Sequence, residues 1–478
     1  MPEIQNKLFI NGEWVPGKAG RTFPAINPAT EEKITDVHEA DAEDVEIAYQ
    51  AALKAFPEWR DQSMWHRVTL ANKLADLIER DAAELAELEA KNMGLPVAFY
   101  PFCSGLAVSG IRHAAGAAHD IHGETSLNTP GFVTMTLRQP YGVCGAIIPW
   151  NVPIAMWCGK VIPAVLAGNT IVVKSSEKAP LTSLKLAALA AEAGFPPGVI
   201  NVLSGFGPTA GNALATHMGI RRISFTGSTR AGKLVLEAAG KSNMKTVSLE
   251  CGGKNPAVIF EDADLEAAAT SISASMQFNS GQICISNSRV YVHKNILSKF
   301  AEIFKAKYTA VNAGDPTQPT TTMGPQVDEI QFNNILKLID EAKCEGAEVL
   351  TGGSRSTEKG FFIQPTIFVQ VPAKANLLKT EVFGPVVALQ AFEDEEEIIK
   401  EANNTEYGLH ASVFTKDISR AYKFVKAFEA GVVSVNCSSD AGAYDLPFGG
   451  WKQSSLGRES GKTGLETYFE TKTVTIKL

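Results

Sequence analysis

Three side chains stand out in this chain for their neighbours. Glu250 closes a β-prone run over 245–250 and is followed by Gly252, Gly253 and Lys254. A carboxylate at a strand's end beside a glycine pair is placed to work as a base, with a raised pKa if it is partly buried. For an isolated glutamate, a salt-bridged or solvated role is the alternative. Cys284 lies in Asn279-Ser280-Gly281-Gln282-Ile283-Cys284-Ile285-Ser286. Gly281 interrupts the helical pattern ahead of it, which puts the thiol on a loop leaving a helix end. Most cysteines are inert buried apolar groups, the expectation for Cys103, Cys158 and Cys344; the Gly-Gln frame sets Cys284 apart. Asn151 sits in Pro149-Trp150-Asn151-Val152-Pro153. The flanking prolines hold the amide in one place, where its N–H can stabilise an oxyanion; the alternative is an Asx-type turn closed by its carbonyl oxygen.

A second group of residues suits an anion or a nucleotide. Lys174-Ser175-Ser176-Glu177 follows one apolar run, Gly205-Phe206-Gly207-Pro208-Thr209-Ala210-Gly211 follows the next, and Thr226-Gly227-Ser228-Thr229 opens a helical stretch after a third. Glycines let backbone approach a ligand, and a helix N-terminus favours negative charge, so a dinucleotide pyrophosphate fits. The run is G-x-G-x-x-x-G, not the standard dinucleotide fingerprint, and ordinary glycine turns fit it equally well.

These residues need a frame. From 142 onward short strands alternate with helices: 143–148, 170–174, 200–203, 222–225 and 245–250, the first four each followed by a helical stretch. That is the rhythm of a mostly parallel, doubly wound sheet, whose ligands bind beyond the carboxyl ends of its strands. A second series starts at 256–260 and continues near 288–293, 385–389, 411–415 and 431–435. Before it, Leu8–Val15 reads as two strands joined by Asn11-Gly12, a hairpin signal, and 41–92 as helices, the first capped by Asp41. Residues 125–141 suit a strand pair, and the tail 471–476 alternates at period two. Two α/β domains plus a small β element follow.

Composition narrows the partners. The 478 residues carry 44 Lys plus Arg against 52 Asp plus Glu, a net charge of −8 with no basic block, which argues against nucleic acid. The 45% apolar and 20% charged content is that of a globular chain. Seven cysteines, an odd number without a Cys-x-x-Cys pair, read as reduced thiols. Residues 1–7 lack an apolar signal core and an Arg-rich transit pattern, and the tail ends in Ile476-Lys477-Leu478, so a cytoplasmic location is expected. Between Val143 and Ala167 the only full charge is Lys160, but Pro149, Pro153 and Pro163 cut the segment; a buried strand, loop and helix are expected rather than a membrane span. No metal site is expected: His119 and His122 have no further ligand beside them. The run Glu393–Glu397 reads as the solvated first turn of a helix.

Taken in order, the motifs resemble the aldehyde dehydrogenase superfamily over nearly the whole chain. They are the hairpin, Pro149–Pro153, Val172-Val173-Lys174 with Glu177, Phe225–Thr229, Glu250–Lys254, Gly281–Cys284, Glu381-Val382-Phe383-Gly384-Pro385, Pro447-Phe448-Gly449-Gly450 and Thr471–Thr475. The resemblance implies Cys284 as nucleophile, Glu250 as the base that activates water, and the Asn151 amide with the Cys284 N–H as oxyanion hole. It implies NAD as cofactor. Glu381 and Phe383 match the positions that hold the nicotinamide ribose and ring, Lys174 and Glu177 those that meet the adenosine ribose. Ile148, Trp150, Gly207, Phe225, Gly227, Ser228, Gly252 and Gln331 match the cofactor wall. A carboxylate at Glu177 accepts from both ribose hydroxyls and repels a 2′-phosphate, which favours NAD over NADP. A glutamate at position 250 marks a hydrolytic rather than a CoA-acylating member.

The resemblance also assigns the parts: 1–121 with 141–252 as cofactor-binding domain, 253–452 as catalytic domain, 122–140 with 466–478 as an oligomerisation element of a homodimer or homotetramer. Some positions depart from the pattern. Cys251 stands where leucine is usual. Val152 and Gly159 stand where many relatives have Phe and Trp or a basic residue, which implies a wider tunnel and a bulky apolar or aromatic aldehyde as substrate. The loop 436–447, one residue longer than in common relatives, is expected at the tunnel mouth. The rival reading, an anionic semialdehyde, needs a cation there, and Arg289 is the nearby candidate in sequence. A non-catalytic relative would lack the nucleophile or the base, and both are present.

Overall fold

The structure, a computed structural model, describes residues 4–439 and 443–478. Its first sheet has eight strands in the spatial order Ser455–Leu456, Thr246–Glu250, Arg222–Thr226, Val143–Ile147, Thr170–Ser175, Ile200–Ser204, Leu8–Ile10, Glu13–Val15. The five central strands are parallel. Val143–Ile147, Thr170–Ser175 and Ile200–Ser204 are buried throughout, as strands covered by helices on both faces are. From Val143–Ile147 the chain winds outward one way through 170 and 200, and then the other way through 222 and 246. The crevice at that reversal, between Val143–Ile147 and Arg222–Thr226, is where such sheets bind ligands.

The second sheet runs Glu348–Thr351, Thr366–Val369, Val386–Phe392, Arg289–His293, Pro256–Ile259, His410–Phe414, Val432–Val435. All its pairings are parallel except the first. Its first two strands lie outside the expected series. They are four residues each, flanked by Gly352, Gly353 and Pro365, and bulged between Val349 and Thr351, so they carry little strand signal. The tail strand Phe469–Lys477 pairs along its whole length with Phe132–Pro140, and Thr125–Ser126 adds a third strand.

Local chemistry accounts for the elements. Asn11 and Gly12 both have positive φ, 54° and 81°, which a two-residue hairpin turn of this hand needs. Asp41 caps the helix Ala42–Arg60 in a capping box with Asp44. Asp394 caps Glu395–Asn403, whose first turn is acidic, as the helix dipole favours. Between 143 and 167 the chain forms a strand and the buried helix Pro153–Leu166, which continues through Pro163 instead of stopping there. Among the described residues no helix is long and apolar enough to cross a membrane. One expectation fails outright: Cys344 is exposed. It ends the helix Glu329–Cys344, whose buried face is Phe332, Ile335, Ile339 and Ala342.

Candidate active site

The Cys284 loop is built by a backbone reversal. The helix Leu265–Gln277 ends, and Asn279, Ser280 and Gly281 follow with φ of 47°, 56° and 76°. At Gly281 a Cβ would lie 2.3 Å from the Gly384 carbonyl oxygen, so only glycine fits. Gln282 is fully buried and locks the turn: its Nε2 donates to the Asn279 and Pro325 carbonyls, and its Oε1 accepts from Val327 N. Asn255 Nδ2 donates to the carbonyls of Cys284 and Ser286 at 2.8 and 2.9 Å. The thiol is thereby held on rigid backbone.

Asn151 reaches this loop from the first sheet. It is 4% exposed; its Nδ2 donates to the Gln282 carbonyl at 3.0 Å, and its own carbonyl accepts from Asn279 Nδ2 at 2.7 Å. The amide therefore lies beside the Cys284 segment.

Glu250 ends its strand at 4% exposure. Ser455 Oγ donates to its Oε1 at 2.8 Å, while its Oε2 is buried with no partner among the described residues. Burial pushes the carboxyl well above the usual range and nearby Glu459 pushes it further; the Ser455 hydroxyl, Lys160 and Arg458 pull the other way. Burial also raises the Cys284 thiol, helped by Glu381 and Glu250, against the pull of main-chain N–H groups. The two carboxylates thus act on the same sulfur. Cys251 is buried as well, its thiol pushed up to about 12 by burial, Glu250 and Glu381.

Behind Glu250 lies a group that sequence reading leaves without a role. Lys160, 1% exposed, donates to Glu459 Oε1 at 2.5 Å and to Ser224 Oγ at 2.9 Å, and Ser224 Oγ donates to the same carboxylate oxygen at 2.7 Å. The signal was the lone lysine in an apolar helix, since a buried charge must be paired.

Contacts tie several of the cofactor candidates together. Lys174 Nζ lies 3.5 Å from Glu177 Oε2 and donates to the Ser175 carbonyl; burial lowers the lysine and Glu177 opposes that. Gly207, on a turn after Ile200–Ser204, has open space where a Cβ would stand. Ser228 caps the helix Thr229–Lys241, and Gly227 N donates to the Glu250 carbonyl, so Phe225, Gly227 and Ser228 sit directly against the Glu250 strand. Ile148 is buried where its strand ends, its N–H donating to the Lys174 carbonyl. Trp150 meets Phe383 edge to face, 5.3 Å between ring centres, with Lys178 over the indole. Glu381 accepts from Gly253 N at 2.8 Å, and burial raises its carboxyl to about 7. A Cβ on Gly252 would lie 1.9 Å from Glu381 Oε2. Gln331 spends its amide on the Val382 and Phe383 carbonyls, so it orients Phe383, whose φ is 54°. The cradle suits a dinucleotide: glycine backbone and a helix N-terminus for phosphates, Glu177 for hydroxyls, and the buried, unpartnered Thr226 Oγ1 at the crevice.

Arg289 does not serve as a tunnel cation. It is 1% exposed, and its guanidinium donates to the carbonyls of Lys254, Glu401 and Ala402. Part of the loop 436–447, residues 440–442, lies outside the described residues. Gly159 is exposed, with nothing among the described residues within 4 Å of a Cβ built on it. Among the described residues no group of three or more His, Cys, Asp or Glu is arranged to hold a metal ion.

Comparison with known proteins gives consistent matches. The aldehyde dehydrogenase family model matches residues 14–474. Aldehyde dehydrogenase 1A1 of Gallus gallus is 48% identical over 476 residues, 99% of this chain and 93% of that protein. Retinal dehydrogenase 2 of Homo sapiens is 47% identical over 479 residues, 99% and 92% of the two chains. The structure of an indole-3-acetaldehyde dehydrogenase from P. syringae in complex with NAD+ and IAA superposes with a TM-score of 0.97 at 37% identity, covering 100% of this chain and 97% of that one.

Proposed function

This chain belongs to the aldehyde dehydrogenase family, and on that premise we propose how its own residues oxidise an aldehyde to the acid. Cys284 gives its thiol proton to solvent, its Sγ adds to the aldehyde carbon, and the carbonyl oxygen takes up negative charge as a thiohemiacetal forms. The Asn151 amide and the Cys284 N–H stabilise that oxygen, the kind of contact whose loss typically costs about 10²–10³ in rate. NAD, when bound, supplies the acceptor for the hydride whose loss turns the adduct into a thioester. Glu250 takes a proton from water, the water oxygen attacks the thioester carbon, the C–S bond breaks, and the acid leaves as the thiol is restored. Glu381 and Phe383 hold the nicotinamide end of the cofactor, Gly227 and Ser228 the pyrophosphate, and Lys174 with Glu177 the adenosine ribose. Ile148, Trp150, Gly207, Phe225 and Gly252 line its path.

The observation that carries the reading is the buried Glu250 carboxyl, with one oxygen held by Ser455 and the other without a partner among the described residues, close enough to Cys284 to raise its thiol. A structural carboxylate in such a place would be paired through both oxygens.

The substrate is a fairly bulky apolar or aromatic aldehyde. The small Val152 and Gly159 and the edge-to-face group of Phe99, Phe102 and Phe278 ahead of the Cys284 loop support this. So do relatives named for retinal and indole-3-acetaldehyde. We read 1–121 with 141–252 as the cofactor-binding domain and 253–452 as the catalytic domain. Residues 122–140 with 466–478 form an oligomerisation element. Its sheet is half-exposed or exposed nearly throughout, and three strands without a covered face need another surface to pack on, which supports a homodimer or homotetramer. Seven free thiols suit a reducing, cytoplasmic compartment. NADH formation across a panel of aromatic, long-chain and carboxylate-bearing aldehydes, with NAD and with NADP, tests the reading. Activity confined to carboxylate-bearing aldehydes would overturn the substrate class.

A further inference from the structure

The helix Pro153–Leu166, which follows Asn151, starts without a cap of its own. Its N-cap residue is Val152, with no side chain that accepts, and Pro153 has no N–H. Ile154 therefore carries the first main-chain donor that needs a partner. The partner comes from far away in sequence: Ile154 N donates to Glu89 Oε1 at 3.1 Å. Glu89 belongs to the helix Ala82–Met93 and is fully buried, next to the thiols of Cys103 and Cys158 and the ring of Tyr100. Three residues along the same helix, Asn92 Oδ1 accepts from Leu181 N at the start of the helix Leu181–Ala193. One face of Ala82–Met93 thus caps two other helices.

A carboxyl among these neighbours is costly for packing alone, since an apolar side chain would bury without loss of hydration. Burial pushes Glu89 up to about 8, with the Ile154 N–H and Thr182 pulling it back, and in either protonation state Oε1 accepts from Ile154. What it supplies is position. The segment 151–154 is held at both ends: at Asn151 by the Asn279 amide on its carbonyl, and at Ile154 by Glu89. Only Val152 and Pro153 separate the two anchors, and proline's fixed φ transmits orientation.

We propose that Glu89 is a positioning residue for the oxyanion hole: by holding the Ile154 N–H it sets the start of the helix Pro153–Leu166, and with it the angle at which the Asn151 amide meets the aldehyde oxygen. This rests on the reading of Asn151 as oxyanion donor. Glu89→Gln keeps an acceptor of the same reach, Glu89→Asp withdraws it, and Glu89→Leu removes it.

The test makes each change in the wild-type chain and in Asn151→Ala. It measures the single-turnover rate of NADH formation, the NAD dissociation constant and the melting temperature. Asp and Leu slow NADH formation about tenfold, less than outright loss of a donor, with NAD affinity unchanged, and Gln restores most of the rate. In the Asn151→Ala background the same changes cost less than about twofold, because the residue through which Glu89 acts is already gone. An equal loss in both backgrounds, a parallel fall in NAD affinity, or a Leu variant at full rate overturns the proposal. If Leu does not fold, the Asp and Gln pair decides by the same criteria. If Asn151→Ala alone leaves NADH formation unchanged, the oxyanion reading fails first, and the inference falls with it.

Discussion

The ionisation of Glu250 is balanced by two neighbours that can be removed separately. The Ser455 hydroxyl donates to Oε1 at 2.8 Å and favours the carboxylate; Glu459 repels it, itself paired to Lys160 at 2.5 Å. A hydrogen bond to a charged group contributes about 1.5–3 kcal/mol, and one pKa unit is about 1.4 kcal/mol. Ser455 is half-buried, so water replaces part of what its hydroxyl gives, and Ser455→Ala should raise the Glu250 carboxyl by less than loss of a fully buried charged hydrogen bond would. Glu459→Gln removes the repulsion and frees the Lys160 charge, so Glu250 falls. The base works only when ionised, and its ionised fraction drops as pH falls through the pKa. The acid limb of kcat should therefore move to higher pH in Ser455→Ala and to lower pH in Glu459→Gln. The assay is kcat against pH from about 5.5 to 9, with the NADH burst measured alongside to confirm that thioester hydrolysis limits turnover. Two shifts in the same direction, or two unmoved limbs, would show that these neighbours do not set the ionisation of Glu250.

Cys284→Ser should abolish NADH formation while leaving NAD binding, followed by fluorescence titration, nearly intact, because a hydroxyl without an activating base is a poor nucleophile. Glu177→Gln should raise kcat/KM for NADP relative to NAD, because the carboxylate that repels a 2′-phosphate is gone; an unchanged ratio counts against the assignment. Gly159→Trp fills open space, so KM for a bulky aldehyde should rise about tenfold or more while a two-carbon aldehyde is little affected; equal effects on both would place Gly159 outside the substrate path.

Much of the frame was legible because its signals are local. The Asn11-Gly12 turn, the Asp41 cap and the buried apolar strands each declare themselves within a few residues. The helix Tyr100–Ala117 is not legible in this way: Gly105, Gly110 and Gly116 lower its propensity, and packing against Met64–Arg80 and Pro153–Leu166 holds it. Cys344 went astray because sequence gives a thiol's type but not the face of the helix it ends on. The site shows the same division. Cys284, Glu250 and Asn151 stand out through their glycine and proline frames. The Lys160–Glu459–Ser224 group and the Glu89 cap join residues 64 to 299 positions apart, and no local pattern records such pairings.

If Glu250 activates the water that frees the acid from Cys284, Glu250→Gln should separate NADH formation from turnover, which rapid-mixing detection of NADH resolves. A general base at this position should leave a full burst of one equivalent of NADH per active site in the variant, followed by steady turnover lowered by about 10²–10⁴, the range for a positioned general base. A full burst followed by undiminished turnover would contradict it and leave Glu250 a structural carboxylate.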